Sequence, residues 1–359
     1  MKILIDLTSL ADNFSGIERF AMNMALQMTE NRAHSYVLVF KNAVHEAFFQ
    51  TVQQDHVEAL VLKGGHKLVF NQLILPLKLY RQKADVYFFP AFPEPVLFFR
   101  KHTVTTIHDL GCWDCGENMT TLSKWYFRIS YRKSMRLCEK LITVSEFSKG
   151  RIIALGRVPA GKIEVIYNGV SEAFFSGKAP GEAVRQKYQL PQQYLLCLST
   201  LEPRKNLQLL VKAYESLILE GHDLPPLVLA GRKGWKMDGL LEGIDPAVVA
   251  KLHFTGFIDD EDLPAIYAGA RLFVFPSKYE GFGIPPLEAM AAGCPVLSSD
   301  AASLPEVLGN AASYFESENP DSLKTALLSV LERPRTEGLQ AQAEHFAWSA
   351  EAEKLLSCL

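Results

Sequence analysis

The sequence predicts an α/β protein built as two doubly wound parallel-sheet domains, and three observations carry that prediction. The chain has 359 residues, enough for two domains at the usual ~150 residues each. Short apolar runs rich in β-branched residues alternate with longer helix-like segments, the βαβ rhythm of a parallel sheet with helices on both faces. That rhythm breaks at a Gly/Pro/Ser-rich stretch, Ser176 to Gly181, and then restarts, which puts the junction near residues 170–190.

In the first half the candidate strands are Lys2 to Leu7, Tyr36 to Phe40, Val86 to Phe89, His102 to Ile107 and Lys140 to Val144. In the second they are Tyr194 to Leu198, Leu227 to Ala230, Leu252 to Thr255, Leu272 to Pro276 and Pro295 to Ser298. No short-period repeat or low-complexity tract intervenes. Open α/β sheets bind ligands outside the carboxyl ends of their strands. In a two-domain chain two such crevices can face each other, so a cleft between the domains is the expected active site.

Composition narrows the function classes. With 48% hydrophobic and 21% charged residues, disorder and small disulfide scaffolds are excluded. The net charge of -3 gives no electrostatic reason to expect nucleic acid as a partner. It hides an asymmetry: residues 1–170 hold 21 Lys and Arg against 15 Asp and Glu, a balance of +6, and the rest sums to -9. The first apolar run is broken by Asp6 and reads as a strand, not a signal peptide. The longest apolar stretch, Val86 to Phe99, spans 14 residues and holds Pro90, Pro93, Glu94 and Pro95, too short and interrupted to cross a bilayer. A cytoplasmic protein is expected. Its six Cys, with Cys197 and Cys294 inside apolar runs, read as reduced core thiols.

Three segments could carry chemistry. After the first strand comes Asp12-Asn13-Phe14-Ser15-Gly16-Ile17-Glu18-Arg19, then a helical pattern with Phe20, Met24 and Met28 on one face. Gly16 at the helix start would let an anion approach backbone N–H donors; a plain loop glycine is the alternative. The pattern is neither G-x-G-x-x-G nor G-x-x-x-x-G-K-[ST], which disfavours a Rossmann dehydrogenase and a P-loop NTPase. Leu201-Glu202-Pro203-Arg204-Lys205-Asn206 sets two cations beside a helix start, an arrangement suited to a diphosphate, or else simply a solvated helix start. Third, the run from Pro276 to Val296 leaves a buried strand, turns through Gly281, Gly283, Pro285 and Pro286, and enters an apolar helix. There Phe282, Gly283 and Ile284 offer backbone donors, while Glu280 and Glu288 can accept from sugar and ribose hydroxyls.

The segment from Glu280 to Glu288 resembles the E-x7-E motif of the retaining family-4 glycosyltransferases, in the fuller form S-x-x-E-G-F-G-x-P-x-x-E-A-M-A-x-G-x-P-V. Further segments match in order: Ser15-Gly16-Ile17, Ile107-His108-Asp109, Thr143 to Ser148 with Tyr167-Asn168-Gly169-Val170, Glu202 to Asn206, and Phe346-Ala347-Trp348. The resemblance spans nearly the whole chain. It implies a GT-B fold of two Rossmann-like domains, an acceptor domain at 1–172 and a nucleotide-sugar domain at 173–342, with a closing helix at 343–359 returning toward the first. It also implies roles. Arg204 and Lys205 would neutralise the donor diphosphate, with Gly16 contacting the phosphate from the opposite domain. Glu280 would hold donor-sugar hydroxyls, Glu288 the ribose and the backbone near Ile258 the base, while His108 would sit near the sugar's 6-position. Many family members have Gly-Arg where this chain has Ser199-Thr200, so Arg204 and Lys205 would carry more of the charge at this donor-binding strand end.

Three features could mislead. Asp259-Asp260-Glu261-Asp262 contains a D-x-D that could hold a metal-bound diphosphate, but its place before Leu263-Pro264 fits acids capping a helix start. His108, Cys112 and Cys115 have zinc-like spacing without a nearby fourth ligand. The run Lys124 to Arg136 carries five basic and four aromatic side chains and no acid; its Arg128, Arg132, Lys133 and Arg136 would either rest on anionic lipid or the acceptor, or form a solvated helix face.

The resemblance thus implies a retaining, metal-independent hexosyltransferase needing no cofactor beyond its nucleotide-sugar donor, with GDP-mannose the first expectation and a UDP-sugar the alternative. The expected acceptor is a glycan or lipid-diphosphate-linked glycan of a bacterial surface polysaccharide, O-antigen or capsule, reached at the cytoplasmic face of an anionic inner membrane. A glucosyl-, galactosyl- or rhamnosyltransferase of the same fold, or a non-catalytic nucleotide-sugar-binding protein, are the other readings.

Overall fold

A computed structural model describes all residues except 11–14, 117–118, 201, 232–238 and 335. Asp12, Asn13 and Phe14 of the first candidate loop, and Leu201 of the second, lie outside the described residues. The chain divides into two compact units, Met1–Gly169 with Ala347–Leu359, and Val170–Phe346.

The first unit is built on a seven-stranded sheet in the order β3-β2-β1-β4-β5-β6-β7. Its strands are β1 (Lys2–Asp6), β2 (Ser35–Lys41), β3 (Val57–Leu62), β4 (Val86–Phe89), β5 (Thr103–Thr106), β6 (Lys140–Thr143) and β7 (Ile163–Val165). All neighbouring strands are parallel. The second unit has a six-stranded sheet in the order β10-β9-β8-β11-β12-β13, with β8 (Leu195–Leu198), β9 (Leu227–Ala230), β10 (Leu252–Gly256), β11 (Leu272–Phe275), β12 (Val296–Ser299) and β13 (Ser313–Phe315). It too is parallel throughout. Strand order reverses between β1 and β4 in one sheet and between β8 and β11 in the other, the places where doubly wound sheets open a crevice.

Three of these strands, β3, β7 and β13, are absent from the sequence expectation, and all three lie at sheet edges. An edge strand needs no continuous apolar run. Glu58, the second residue of β3, is exposed, and β7 and β13 are three residues long.

Helices cover both sheets. Helix α1 (Gly16–Thr29) buries Phe20, Met24 and Met28 on the expected face, and Ser15 with Glu18 closes a capping box at its start. Residues 67–79 form a continuous helical run, α2, with a π-turn at Phe70–Ile74 in its middle. Next come α3 (Thr121–Leu137), α4 (Glu146–Gly156), α5 (Glu182–Tyr188), α6 (Leu207–Leu219), α7 (Leu263–Gly269), α8 (Ile284–Ala291), α9 (Pro320–Glu332) and α10 (Leu339–Glu344). The last helix, α11 (Trp348–Cys358), belongs to the first unit. There Trp348 meets Phe20 of α1 edge-on, Glu351 accepts from the Tyr167 backbone N–H at 2.9 Å, and a side chain at Gly169 would strike the Trp348 ring. Among the described residues no helix is long and apolar enough to cross a membrane.

Candidate active site

In the second unit the chain leaves β8 at Ser199, whose backbone N–H donates to Ala230 O at 3.0 Å. Close packing there requires Gly231: it has φ +130°, and a Cβ on it would come within 2.0 Å of Ser199 O. Pro203–Lys205 then form one 3₁₀ turn, and Asn206, at φ 56°, starts α6. This turn delivers Arg204 and Lys205 to the carboxyl end of the sheet. The segment after β11 delivers their partner.

Glu280 accepts from Lys205 Nζ at 2.6 Å, from Arg204 Nη1 at 3.1 Å and from Ser277 Oγ at 2.6 Å. Arg204 also donates to Glu202 at 2.9 Å and to Tyr279 O at 2.7 Å. Four charges are thereby gathered, Arg204 and Lys205 against Glu202 and Glu280, with no net charge. Side-chain exposure is only 12% for Lys205 and 10% for Glu280, so the pair is largely removed from water. Burial pushes the Glu280 carboxyl up, but the Lys205 and Arg204 charges and the bonds from Lys205 and Ser277 outweigh it and hold it at about 2. Burial draws Lys205 below the usual lysine range, and Glu280 only partly offsets this because Arg204 repels Lys205 and shares the same carboxylate. Two further buried polar atoms at this end, Ser199 Oγ and Asn206 Nδ2, have no hydrogen-bond partner among the described residues. Buried polar groups are otherwise nearly always satisfied.

The turn carrying Glu280 is itself fixed. Ser303 Oγ donates to both Glu280 O and Phe282 O at 3.0 Å, and Phe282 packs edge-on to Phe346. Gly283 takes φ 106°, and a Cβ there would approach Leu304 to 2.6 Å. Ile284 begins α8, where Pro285 and Pro286 lack N–H groups and fit the first turn. Glu288 lies one turn further on, buried, accepting from the Tyr267 hydroxyl at 3.2 Å. Ile258, two residues past β10, is buried as well. The structure thus brings Arg204, Lys205 and Glu280 together, with Glu288 on the helix that follows. Ser277, Ser303, Tyr267, Glu202 and Asn206 complete this arrangement; Ser277, Glu202 and Asn206 lie in the segments singled out from the sequence but had no role assigned there, and Tyr267 and Ser303 were not singled out. The signal for Ser277 was its place three residues before Glu280; Tyr267 and Ser303 come from other elements and had none.

In the first unit Gly16 opens α1 and is exposed. His108 follows β5 and is buried. Its Nε2 lies 2.8 Å from Pro90 O, past β4. A carbonyl can only accept, so Nε2 carries the proton. Burial lowers the His108 pKa, against the pull of that bond and of Asp109 and Glu18. The neutral ring then presents Nδ1 as an acceptor. Phe20 meets this ring edge-on, 5.0 Å between centroids.

Two sequence expectations need correction. Asp262 occupies the cap position of α7 but makes no capping bond with its side chain; it accepts from Lys187 Nζ at 2.6 Å and from the Tyr188 hydroxyl at 2.8 Å, while Asp259 also pairs with Lys187. The acids tie α5 to the start of α7 instead of capping it. The basic helix α3 also divides. Lys133 is no surface cation: its Nζ donates to Pro95 O at 2.8 Å and Phe98 O at 2.6 Å and pairs with the buried Glu94 at 3.0 Å. A basic helix in a folded domain spends some cations on its own neighbours, which spacing alone does not reveal. Arg128 is half-buried, donates to Cys112 O at 2.9 Å and lies over Trp113; Arg132 also lies over Trp113 but is exposed, as is Arg136. All six cysteines are free thiols, Cys112, Cys138, Cys197 and Cys294 being buried. Among the described residues no group of three or more His, Cys, Asp and Glu side chains could hold a metal.

Comparison with known proteins gives the family. The family described as Glycosyltransferase Family 4 matches residues 14–174, and the one described as Glycosyl transferases group 1 matches residues 182–347. The O-antigen chain mannosyltransferase B of Escherichia coli is 32% identical over 97% of this chain and 96% of its own. The serotype-specific mannosyltransferase WbdA of the same organism is 31% identical over 62% of this chain, which spans only 29% of WbdA. Among solved structures, sucrose-phosphate synthase from Thermosynechococcus elongatus superposes with a TM-score of 0.75 at 17% identity, over 99% of this chain and 98% of that one. Two doubly wound parallel sheets, the motif from Glu280 to Glu288 and a near-full-length relative at 32% identity make this chain a member of glycosyltransferase family 4, with the GT-B fold.

Proposed function

We propose that this protein is a retaining hexosyltransferase that moves mannose from GDP-mannose to a hydroxyl of a lipid-diphosphate-linked glycan during assembly of a bacterial surface polysaccharide. The observation that carries the donor reading is the buried set of Lys205, Arg204 and Glu280 at the carboxyl ends of β8 and β11. Two cations held there would take up the charge that develops on the departing nucleoside diphosphate. The unpaired Ser199 Oγ and Asn206 Nδ2 would complete their hydrogen bonds on the same ligand. Glu280 and Glu288 would accept from sugar and ribose hydroxyls, the Phe282-Gly283-Ile284 backbone would donate, and the region of Ile258 would receive the base. Gly16 would contact the phosphate, and His108, as a neutral imidazole, would accept from a sugar hydroxyl.

In this mechanism the leaving phosphate takes the acceptor's proton, so no glycosidase-like carboxylate pair is needed. Fixed cations would take the part that a metal plays in other glycosyltransferases. Mannose is favoured because the near-full-length relative is an O-antigen chain mannosyltransferase, and the +6 balance of residues 1–170 suits an acceptor arriving at the cytoplasmic face of an anionic membrane.

A thermal-shift screen against GDP-mannose and UDP-, ADP- and dTDP-sugars tests this reading, because a donor at 100 times its Kd stabilises by about 2.7 kcal/mol. GDP-mannose should stabilise, and slow donor hydrolysis should accompany it. Stabilisation by a UDP-sugar alone would replace the donor, and binding without any hydrolysis or transfer would make the protein a non-catalytic binder.

A further inference from the structure

Helix α2 is apolar on two sides. It buries Phe70, Leu75 and Leu79, which accounts for its folding, yet Leu73 and Leu77, four residues apart on the opposite side, are more than half exposed. Folding alone gives no reason for a second apolar stripe. It does not stand by itself. The Tyr80 hydroxyl, just past α2, accepts from Phe99 N at 2.7 Å and donates to Leu97 O at 3.2 Å. Gln72 on α2 bonds Tyr126 of α3 at 3.0 Å and accepts from Val96 N at 2.9 Å. Lys133 of α3 holds the 95–98 carbonyls with its ammonium over the Phe99 ring. One hydrogen-bonded framework therefore links α2, the 97–101 loop and α3. Leu97, Phe99, Trp125 and Ile129, also more than half exposed, extend the apolar surface across it.

The charge pattern selects the occupant. Residues 67–84, 97–101 and 121–137 contain no Asp or Glu, while Lys78, Arg81, Arg100, Lys101, Arg132 and Arg136 are exposed around the apolar side chains. A second copy docking through the same face by two-fold symmetry would set positive charge against positive charge. An anionic bilayer offers both an apolar interior and complementary charge.

We infer that the first unit docks on anionic lipid through this surface, with Leu73, Leu77 and Phe99 entering the acyl region and Arg132 and Arg136 at the headgroups. This rests on the proposed lipid-linked acceptor and moves the anchor from the basic side of α3 to the apolar face of α2 and the loop beside it.

The test is co-sedimentation of the whole protein with vesicles of phosphatidylethanolamine and phosphatidylglycerol, against vesicles of phosphatidylcholine. The wild type should bind the anionic vesicles. Leu73→Ser/Leu77→Ser/Phe99→Ser should lose about tenfold or more in partitioning, while Leu219→Ser, an exposed leucine of the second unit, should bind as wild type. Arg132→Ser/Arg136→Ser should weaken binding most at low salt. Equal melting temperatures would show that the variants are folded, and stabilisation by GDP in each would show that the donor site survives. A triple variant that sediments like wild type, a wild type that ignores both vesicle types, or a wild-type dimer that the triple variant splits would overturn the inference. Absence of GDP stabilisation in the wild type would instead count against the donor reading, independently of the vesicle result.

Discussion

Replacing Lys205 with methionine preserves its length and removes one charge from a balanced set of four. Arg204 and Lys205 stand against Glu202 and Glu280, so Lys205→Met turns a neutral cluster into one of net -1 where, on the proposed reading, the donor diphosphate arrives. For one unit charge about 5 Å from a phosphate, at an effective dielectric constant of about 20, the lost interaction is about 3 kcal/mol, or about a hundredfold in kcat/KM. The variant also leaves Glu280 with Arg204 and Ser277 as its remaining partners, so the apo protein should melt at a lower temperature. Combining Lys205→Met with Glu280→Gln restores a neutral cluster and should recover much of the melting temperature without recovering transfer. That contrast separates a cation that serves the fold from one that serves the donor. The assays are steady-state transfer from GDP-mannose and thermal denaturation with and without GDP. Near-normal turnover in a folded Lys205→Met protein would refute the reasoning.

Glu288→Ala removes the proposed ribose-hydroxyl acceptor, which would be used alike in ground and transition states, so KM for the donor should rise more than kcat falls; an unchanged KM would remove Glu288 from the ribose. Gly283→Ala places a Cβ against Leu304 at a backbone conformation of φ 106° and should cost about 1–3 kcal/mol, read as a lower melting temperature. Glu280 is held at about 2, below its ordinary 4.5, so its contribution to stability is present above pH 4.5 and is lost as pH falls toward 2. That contribution is worth about 3 kcal/mol; Glu280→Gln should flatten the fall in melting temperature across this window, and an unchanged slope would contradict the ion-pair account.

Much of this molecule is legible in its sequence because both sheets are parallel. Interior strands such as Leu272–Phe275 are buried on both faces and read as continuous apolar runs. The edge strands Val57–Leu62, Ile163–Val165 and Ser313–Phe315 lack that signal, since one flank needs no cover. The position of the cations proposed for the donor was legible for a related reason: Arg204 and Lys205 stand at a strand-to-helix junction, where local spacing sets position. Their pairing with Glu280, 75 residues or more away, depends on β8 and β11 lying side by side, and no local pattern carries that. Lys133 shows the reverse difficulty. It sits in a run of five basic residues without an acid, and only the fold reveals Glu94 and two carbonyls waiting for it.

On the proposed function, fixed protein cations, without a metal, support transfer from a nucleotide sugar with retention. The most direct measurement is transfer from GDP-mannose to a lipid-diphosphate-linked acceptor in excess chelator, with the anomeric configuration of the initial product read by NMR. The account predicts an α-linked product formed at an undiminished rate, and its loss in Lys205→Met. A β-linked product, or turnover abolished by chelator and restored by Mg2+ or Mn2+, would contradict it and return Asp260 and Asp262 to consideration as ligands.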